Sequence, residues 1–307
     1  MKIVVTGATG FIGVGVVRAL LDRGDEVTVL TRDPARAREQ LGRVSAVEAD
    51  LQTPSAWTAS LRGSDAIIHL AGESVGDKRW DARQKQLIRD SRVESTRTLT
   101  EHIATLAVDD RPRVLVCASG VDYYPFASLD DEFDDDEVTE ADPPGDSFLA
   151  RVCREWEREA LAAEGHRVRV VCMRTGLVIG QGGATDRMIT PFKLLVGGRI
   201  GSGRQWFSWI HRDDVVAAYL AAVSDERYRG PINLVTESVR AAELADALGR
   251  ALHRPSWFPV PGFAMKAVLG EFAQHVLNGR RVVPRKLEQL GFEWKFRHLT
   301  DALAATV

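Results

Sequence analysis

Short, continuous, β-branched runs recur at residues 2–6 (KIVVT), 26–31 (EVTVLT), 44–49, 65–70 (DAIIHL), 113–118 (RVLVCA) and 167–173 (RVRVVCM), separated by segments of helix length. A strand wetted on one face alternates apolar and polar residues. These runs do not alternate, as expected of strands covered by helices on both faces. The pattern predicts an α/β fold built on a doubly wound parallel sheet. Helices are predicted at 11–23, 81–107 and 147–164, the second with Leu87, Ile88, Leu99, Ile103 and Leu106 roughly on one stripe. After residue 176 the alternation breaks down into glycine-rich VGGRIGSGRQW, a helix at 214–224 and further helices at 240–252 and 262–278. The chain thus divides into a first domain, 1–176, and a smaller lobe, 177–307, some of whose segments return to the first domain. The run 126–142 is strongly acidic without apolar period and reads as a solvated insertion.

Composition narrows the partners. With 45% hydrophobic and 27% charged residues and a formal charge of −3, the chain is an ordinary soluble globule. That balance argues against a nucleic-acid surface or a polybasic membrane patch and leaves small molecules as the expected partners. Cys117, Cys153 and Cys172 form no C-x-x-C pair, and two of them sit in strand-like runs, as in a reducing compartment. No apolar window of about 18 residues occurs and the first strand runs straight into a glycine loop, so the expected location is the cytoplasm. The seven histidines show no ligand-like spacing, and no metal site is assigned.

The glycine loop is Thr6-Gly7-Ala8-Thr9-Gly10-Phe11-Ile12-Gly13, between a strand and a helix. Gly7 permits the tight turn, Gly10 lets backbone approach a pyrophosphate, and Gly13 lets the helix pack on the sheet. Phosphates would then face the free amides of the helix start. Strand, glycines, helix and second strand follow in the order a Rossmann-type dinucleotide site needs, with Gly7, Thr9, Gly10, Phe11, Ile12 and Gly13 at the phosphates. The second strand ends VLTRDPARAR: Arg32 with Arg36 one turn on would pair with a 2′-phosphate, whereas Asp33 before Pro34 reads as a helix cap. This favours NADP(H) over NAD(H). Asp50 and Leu51 are candidates for the adenine end, and Leu70, Ala71 and Gly72 bring small residues beside the cofactor; His69 reads as a packed strand-end residue.

Beyond TGATGFIG the chain carries HLAGESVGDKRW, TEADPPGDSFLARVCREWE, RTGLVIGQGG, GGRIGSGRQWFSWIHRDDV, GPINLV, RPSWFPVP and VVPRKLEQLGFEW. Through these it resembles, over almost its whole length, the NAD-dependent epimerase-like branch of the extended short-chain dehydrogenase/reductase superfamily. The resemblance implies a Rossmann domain, NADP(H), a small C-terminal lobe over the cofactor, and a homodimer paired through the helices at 81–107 and 147–164; it leaves the substrate open. The wider superfamily has Tyr-x-x-x-Lys where this chain has Phe148 and Val152, which looks like the branch's own Phe-Leu-Ala-x-x-Cys pattern. The branch usually reads Ser-Ala-Val-Gly-Tyr-Tyr-Gly after the fifth strand, and here Ser119-Gly120-Val121-Asp122-Tyr123-Tyr124-Pro125 stands instead.

Without the Tyr–Lys pair, another group must move the proton. Tyr123 or Tyr124 is the candidate acid/base and Ser119 the orienting hydroxyl, all at the carboxyl edge of the sheet; packing of the rim is the plainer role for the tyrosines. Arg174, ending the sixth strand, points toward the cofactor edge. Arg204, Gln205, Trp206 and Trp209 lie in a glycine-rich loop suited to a planar or anionic substrate, ahead of a helix that Asp214 is expected to cap. Lys85 and Arg89 share a helix face, with Lys85 the candidate to reach the same cleft. Two functions remain: an NADP(H)-binding oxidoreductase or epimerase acting on a small carbonyl or sugar-like substrate, and a non-catalytic NADP(H)-binding redox-sensing regulator.

Overall fold

The computed structural model describes residues 1–126 and 135–307. The first half runs β1 (Lys2–Thr6), α1 (Gly13–Asp22), β2 (Glu26–Thr31), α2 (Pro34–Leu41), β3 (Ser45–Glu48), β4 (Ala66–His69), α3 (Ala82–Asp90), α4 (Val93–Thr105), β5 (Val114–Gly120), β6 (Glu137–Val138), α5 (Phe148–Leu161) and β7 (Arg169–Thr175). The second half runs β8 (Leu177–Ile179), α6 (Gly183–Lys193), β9 (Trp206–His211), α7 (Arg212–Ser224), β10 (Gly230–Leu234), β11 (Glu237–Arg240), α8 (Ala241–Leu252), α9 (Gly262–Leu269), α10 (Ala273–Leu277), β12 (Arg281–Val282), α11 (Arg285–Leu290) and α12 (Leu299–Ala304).

Seven strands form one parallel sheet in the order β10-β7-β5-β4-β1-β2-β3. The chain reverses its direction of travel between β1 and β4, the switch point where such sheets open a crevice. The apolar runs serve both faces. Ile3, Val5, Ile68 and Val116 meet Val16, Leu20, Ala218 and Tyr219 on one side, and Val4, Ile67, Leu115 and Cys117 meet Trp57, Leu99, Ile103 and Trp156 on the other. The fold is the expected Rossmann-type α/β sheet.

A smaller sheet, β11-β9-β8, packs with α6, α8 and α12 around Ile179, Phe192, Trp209, Leu244, Leu248 and Leu303. A two-stranded ribbon, β6 with β12, joins the acidic stretch to the C-terminal lobe. Among the described residues no helix is long and apolar enough to cross a membrane.

Several expectations are corrected. The helix predicted over 81–107 is two helices. At the break Ser91 Oγ donates to the Ile88 carbonyl and accepts the Glu73 amide, while Arg92 Nη1 donates to the same carbonyl, so side chains replace the helical ladder. The helix predicted over 262–278 breaks at Gly270, whose φ of 61° a helix cannot hold. The helix from 147 turns into a 3₁₀ turn at Ala162. Asp214 does not cap α7: it is buried and accepts the Lys295 and Phe296 amides, and His211 Nδ1 accepts the Asp213 amide as the cap. The seventh strand, β10, went unread because Gly and Pro open it. Within 126–142, residues 127–134 lie outside the described residues; beyond them Glu140 is buried and accepts the Asn233 and Lys286 amides, so this end is framework and not solvated surface.

Helix α5 is laced to its neighbours by Arg89 of α3 to Glu155 at 2.7 Å and by Arg97 of α4 to Glu159 at 3.1 Å. Close packing governs the glycine loop more strictly. A Cβ on Gly13 would stand 2.2 Å from the Gly7 carbonyl oxygen, whereas one on Gly165 would meet nothing. Gly13→Ala is therefore expected to lower unfolding free energy by about 3 kcal/mol or more, and Gly165→Ala to change it by less than about 1 kcal/mol, read from urea unfolding midpoints.

Candidate functional site

The crevice begins where β1 ends. Gly7 has φ 67°, and a Cβ there would lie 2.6 Å from the Leu70 carbonyl carbon, so the first turn is pressed against the end of β4. The Leu70 amide donates to the Thr6 carbonyl and the Ala71 amide to Thr6 Oγ1 at 3.2 Å. Thr6 Oγ1 also bonds His69 Nδ1 at 2.7 Å, and Ser95 Oγ stands 3.3 Å from Nε2. Burial, with help from Arg92, pushes the His69 pKa down to about 4, so the ring is a neutral strut. The reading of His69 as a packed strand-end residue holds.

Gly10 is exposed on the rim, and a Cβ there would meet only the Gly7 oxygen at 3.2 Å, leaving the outer side open for a phosphate. Thr9 and Ile12 are half-buried beside it. Ile12 occupies the cap position of α1 without a side-chain bond, and the Val14 amide donates to the Gly10 carbonyl at 3.1 Å, so no side-chain acceptor competes with an anion at this turn. The Phe11 ring packs under Gly180 and Gly183, with the Arg212 guanidinium 5.3 Å away. A bound dinucleotide fits this cradle: Gly7 and Gly13 close the turn and Gly10 leaves the space.

At the end of β2, Arg32 and Arg36 are exposed, whereas the Asp33 carboxylate accepts the Arg36 amide at 3.0 Å as the cap of α2. Asp50 folds its carboxylate onto the Gln52 amide, and Leu51 packs half-buried on the core. Gly72 lies against Arg92; a Cβ would be 3.0 Å from the guanidinium carbon.

Beyond β5 the polar residues are engaged with one another. Ser119 Oγ donates to Glu157 Oε1 at 2.7 Å; Arg174 donates from Nε to Oε1 and from Nη2 to Oε2, each at 2.8 Å. Arg174 Nη1 donates at 2.9 Å to the Tyr124 hydroxyl, which donates at 2.6 Å to Asn233 Oδ1. Tyr124 is 2% exposed, and burial pushes its pKa up to about 12. Tyr124 is thus corrected from acid/base candidate to buried strut, and Ser119 from orienting hydroxyl to a ligand of Glu157. Arg174 is likewise bound to Glu157 instead of a cofactor. Burial works against its charge, but Glu157 outweighs that and raises its pKa. Tyr123 lies under Arg174, 3.4 Å from guanidinium carbon to ring centroid, and stays half-buried at the rim.

Among the predicted substrate residues the lobe separates the reachable from the structural. Trp209 is fully buried in the lobe core, and Gln205 donates to the Ile200 and Val276 carbonyls, so both are framework. The Trp206 ring is capped by Arg240 at 3.7 Å, and the Arg204 carbonyl accepts from Arg240. Arg204 itself is exposed. Lys85 pairs with Glu271 at 2.7 Å and lies 5.2 Å over the Phe148 ring, facing the C-terminal lobe; Arg89 turns to the α5 seam.

The structure adds a group that sequence reasoning missed. His275 Nδ1 bonds Asp122 Oδ1 at 2.7 Å, although 153 residues separate them. The ring is ringed by Trp80 and Phe126 at 5.5 and 4.9 Å, with Phe272 stacked at 6.0 Å. Trp80 also meets Phe148 at 5.1 Å. Neither Asp122 nor His275 carries a local spacing signal, and Glu157 looks like any helix-surface glutamate.

Residues 3–234 match the model of the NAD dependent epimerase/dehydratase family, and residues 260–306 match a domain of unknown function, DUF1731. The chain belongs to that epimerase/dehydratase family. It is 41% identical over 307 residues to the chloroplastic epimerase family protein SDR39U1 homolog of Arabidopsis thaliana, covering 99% of this chain and 86% of that protein. It is 36% identical to the Mycobacterium leprae epimerase family protein ML0860, covering 98% of this chain and 94% of that one. The crystal structure of the human epimerase family protein SDR39U1 with NADPH superposes with a TM-score of 0.86 at 34% identity, covering 99% of this chain and 98% of that one.

Two outcomes follow from the buried charges. Glu157→Gln keeps the shape but strips Arg174 of its counter-charge; unfolding free energy should fall by about 3–5 kcal/mol, against less than about 1 kcal/mol for Glu155→Gln on the exposed seam, by denaturant titration. His69 has a pKa of about 4 in the fold and near 6.5 in the unfolded chain. As pH falls the unfolded chain binds the proton first, so this stabilisation is complete above about pH 6.5 and lost progressively down to about pH 4, on the order of 3 kcal/mol. A His69→Asn variant should show a shallower fall in unfolding free energy across that window.

Proposed function

We propose that the chain is an NADP(H)-dependent oxidoreductase acting on a small carbonyl compound. The observation that carries this reading is the end of β2: two exposed guanidiniums, Arg32 and Arg36, flank an acid already used as a helix cap. A carboxylate holding an α2 amide is poorly placed to bind a ribose hydroxyl, and the guanidiniums suit a 2′-phosphate. The open cradle at Gly10 and the uncapped start of α1 support a pyrophosphate beside them. The human relative of known structure is described with NADPH, which supports the same preference. Bound there, NADP(H) supplies the hydride. Residues at the carboxyl ends of β4 and β5 orient the carbonyl and handle the proton. Three buried free cysteines suit a reducing compartment such as the cytoplasm.

A second reading, a redox-sensing regulator that binds NADP(H) without turnover, is favoured by the apolar Phe148 and Val152 and by the engaged Tyr124. Calorimetry with NADPH and NADH tests the shared part. The intact protein should prefer NADPH, and Arg32→Ala should weaken NADPH binding by roughly 10- to 100-fold while changing NADH binding little, the worth of one charge-assisted contact. Equal affinity for both nucleotides defeats the NADP(H) assignment, and tight NADPH binding without turnover of any carbonyl favours the regulator.

A further inference from the structure

We infer that Asp122 and His275 form the proton-delivery pair of this site, and that the aromatic cluster around them selects a planar aromatic aldehyde or ketone. The inference rests on the oxidoreductase reading above and names its proton source and substrate class.

The His275 side chain is 3% exposed, and one ring nitrogen is held by Asp122 at 2.7 Å. The other nitrogen, Nε2, is buried and has no hydrogen-bond partner among the described residues. An imidazole serving only as packing gains nothing from a buried, unsatisfied nitrogen, which carries a desolvation cost. A carboxylate on Nδ1 with Nε2 left free is the arrangement by which a carboxylate orients an acid/base histidine.

Its place agrees. Asp122 lies just past the end of β5, and its Oδ2 and Cys153 Sγ are the side-chain atoms nearest to where a Gly120 Cβ would be. Ligands of open parallel sheets bind at this carboxyl edge. Trp80 touches both His275 and Phe148, so the pair stands one ring away from the position where the wider superfamily has its tyrosine. Among the other proton sources nearby, Tyr124 and Ser119 are bound in the Glu157 network, burial pushes the Cys153 thiol up to about 12, and the Tyr123 ring lies under Arg174.

In the step proposed, the carbonyl π bond breaks as the carbon gains a hydride from NADPH and the oxygen gains the Nε2 proton of the His275 imidazolium. NADPH is oxidised to NADP⁺, the carbonyl is reduced to an alcohol, and neutral His275 regains its proton from water. Asp122 holds Nδ1–H throughout. Trp80, Phe126, Phe148 and Phe272 are half-buried and present aromatic surface with few polar groups, which suits an aryl carbonyl better than a sugar. Charged groups beside this cluster include Lys85 paired with Glu271, and Arg79 against Gly270.

The test uses the full-length protein with NADPH and benzaldehyde, and histidine ¹⁵N NMR with benzamide, an unreactive carbonyl of the same shape, in the presence and absence of NADPH. His275→Gln should keep NADPH affinity but lose roughly 10²- to 10⁴-fold in kcat, the range for removing a general acid. Asp122→Asn should lower kcat while leaving NADPH affinity unchanged, and Asp122→Glu should restore part of the rate. Benzamide should move the His275 Nε2 resonance. The inference is overturned if His275→Gln keeps the wild-type rate, or if benzaldehyde is not turned over and benzamide leaves Nε2 unmoved with and without NADPH. Loss of NADPH binding by the wild-type protein is a separate failure, of the cofactor reading, and the benzamide shift without nucleotide still judges the pair.

Discussion

A buried ion pair between Glu157 and Arg174 is the post on which the site is built. The two side chains are 6% and 3% exposed. Charges removed from water to that degree persist only with good geometry and further hydrogen bonds. Both conditions are met: the guanidinium forks onto both carboxylate oxygens, its remaining side reaches the Tyr124 hydroxyl, and the Tyr123 ring covers its face. Through these contacts α5, β5 and β7 are fixed to one another. Asn233, which accepts from Tyr124 and donates to the Val283 carbonyl, extends the network into β10 and the C-terminal segment.

That post has a chemical consequence. The Ser119 and Tyr124 hydroxyls at the end of β5 are engaged in stabilising it, so this part of the edge serves as scaffold. The polar atoms left at this edge are those that do not face Glu157, Asp122 among them. Separation of scaffold from chemistry depends on which way each side chain points from the strand end. Residues five apart in sequence, Ser119 and Tyr124, converge on the same pair from opposite sides.

The lobe is attached in two ways of different strength. The Glu157 network and Asp214, whose carboxylate accepts two amides beyond α11, are buried. Across the cleft, beside the buried His275 ring held by Asp122, the contacts are partly exposed: Lys85 to Glu271, Arg187 to Asp77, and the Trp80 ring on Phe272. Exposed ion pairs contribute about 0–1 kcal/mol each. The cleft side is therefore the weaker seam, and it runs along the residues that would meet a substrate.

The doubly wound sheet, the glycine turn and the Asp33 cap were legible in the sequence because each rests on local rules: strand burial on two faces, a positive φ at Gly7, a side chain reaching its own helix start. The breaks in the helices after Asp90 and Leu269 were not, since Ser91 and Arg92 end a helix only by bonding carbonyls already in place, and Gly270 is tolerated by pattern alone. The Ser119 and Tyr124 hydroxyls were placed at the sheet edge, but their bonds to Glu157, Arg174 and Asn233 were not legible there. Whether Tyr124 faces a ligand or Arg174 depends on Glu157 and Asn233, at separations of 33 and 109 residues. By itself the sequence determined the dinucleotide cradle, whose parts are neighbours in the chain. Only the tertiary structure decided which polar groups are spent on one another and which, like Asp122 with His275, are brought together from distant segments, because burial and pairing are properties of the packed chain and not of any window along it.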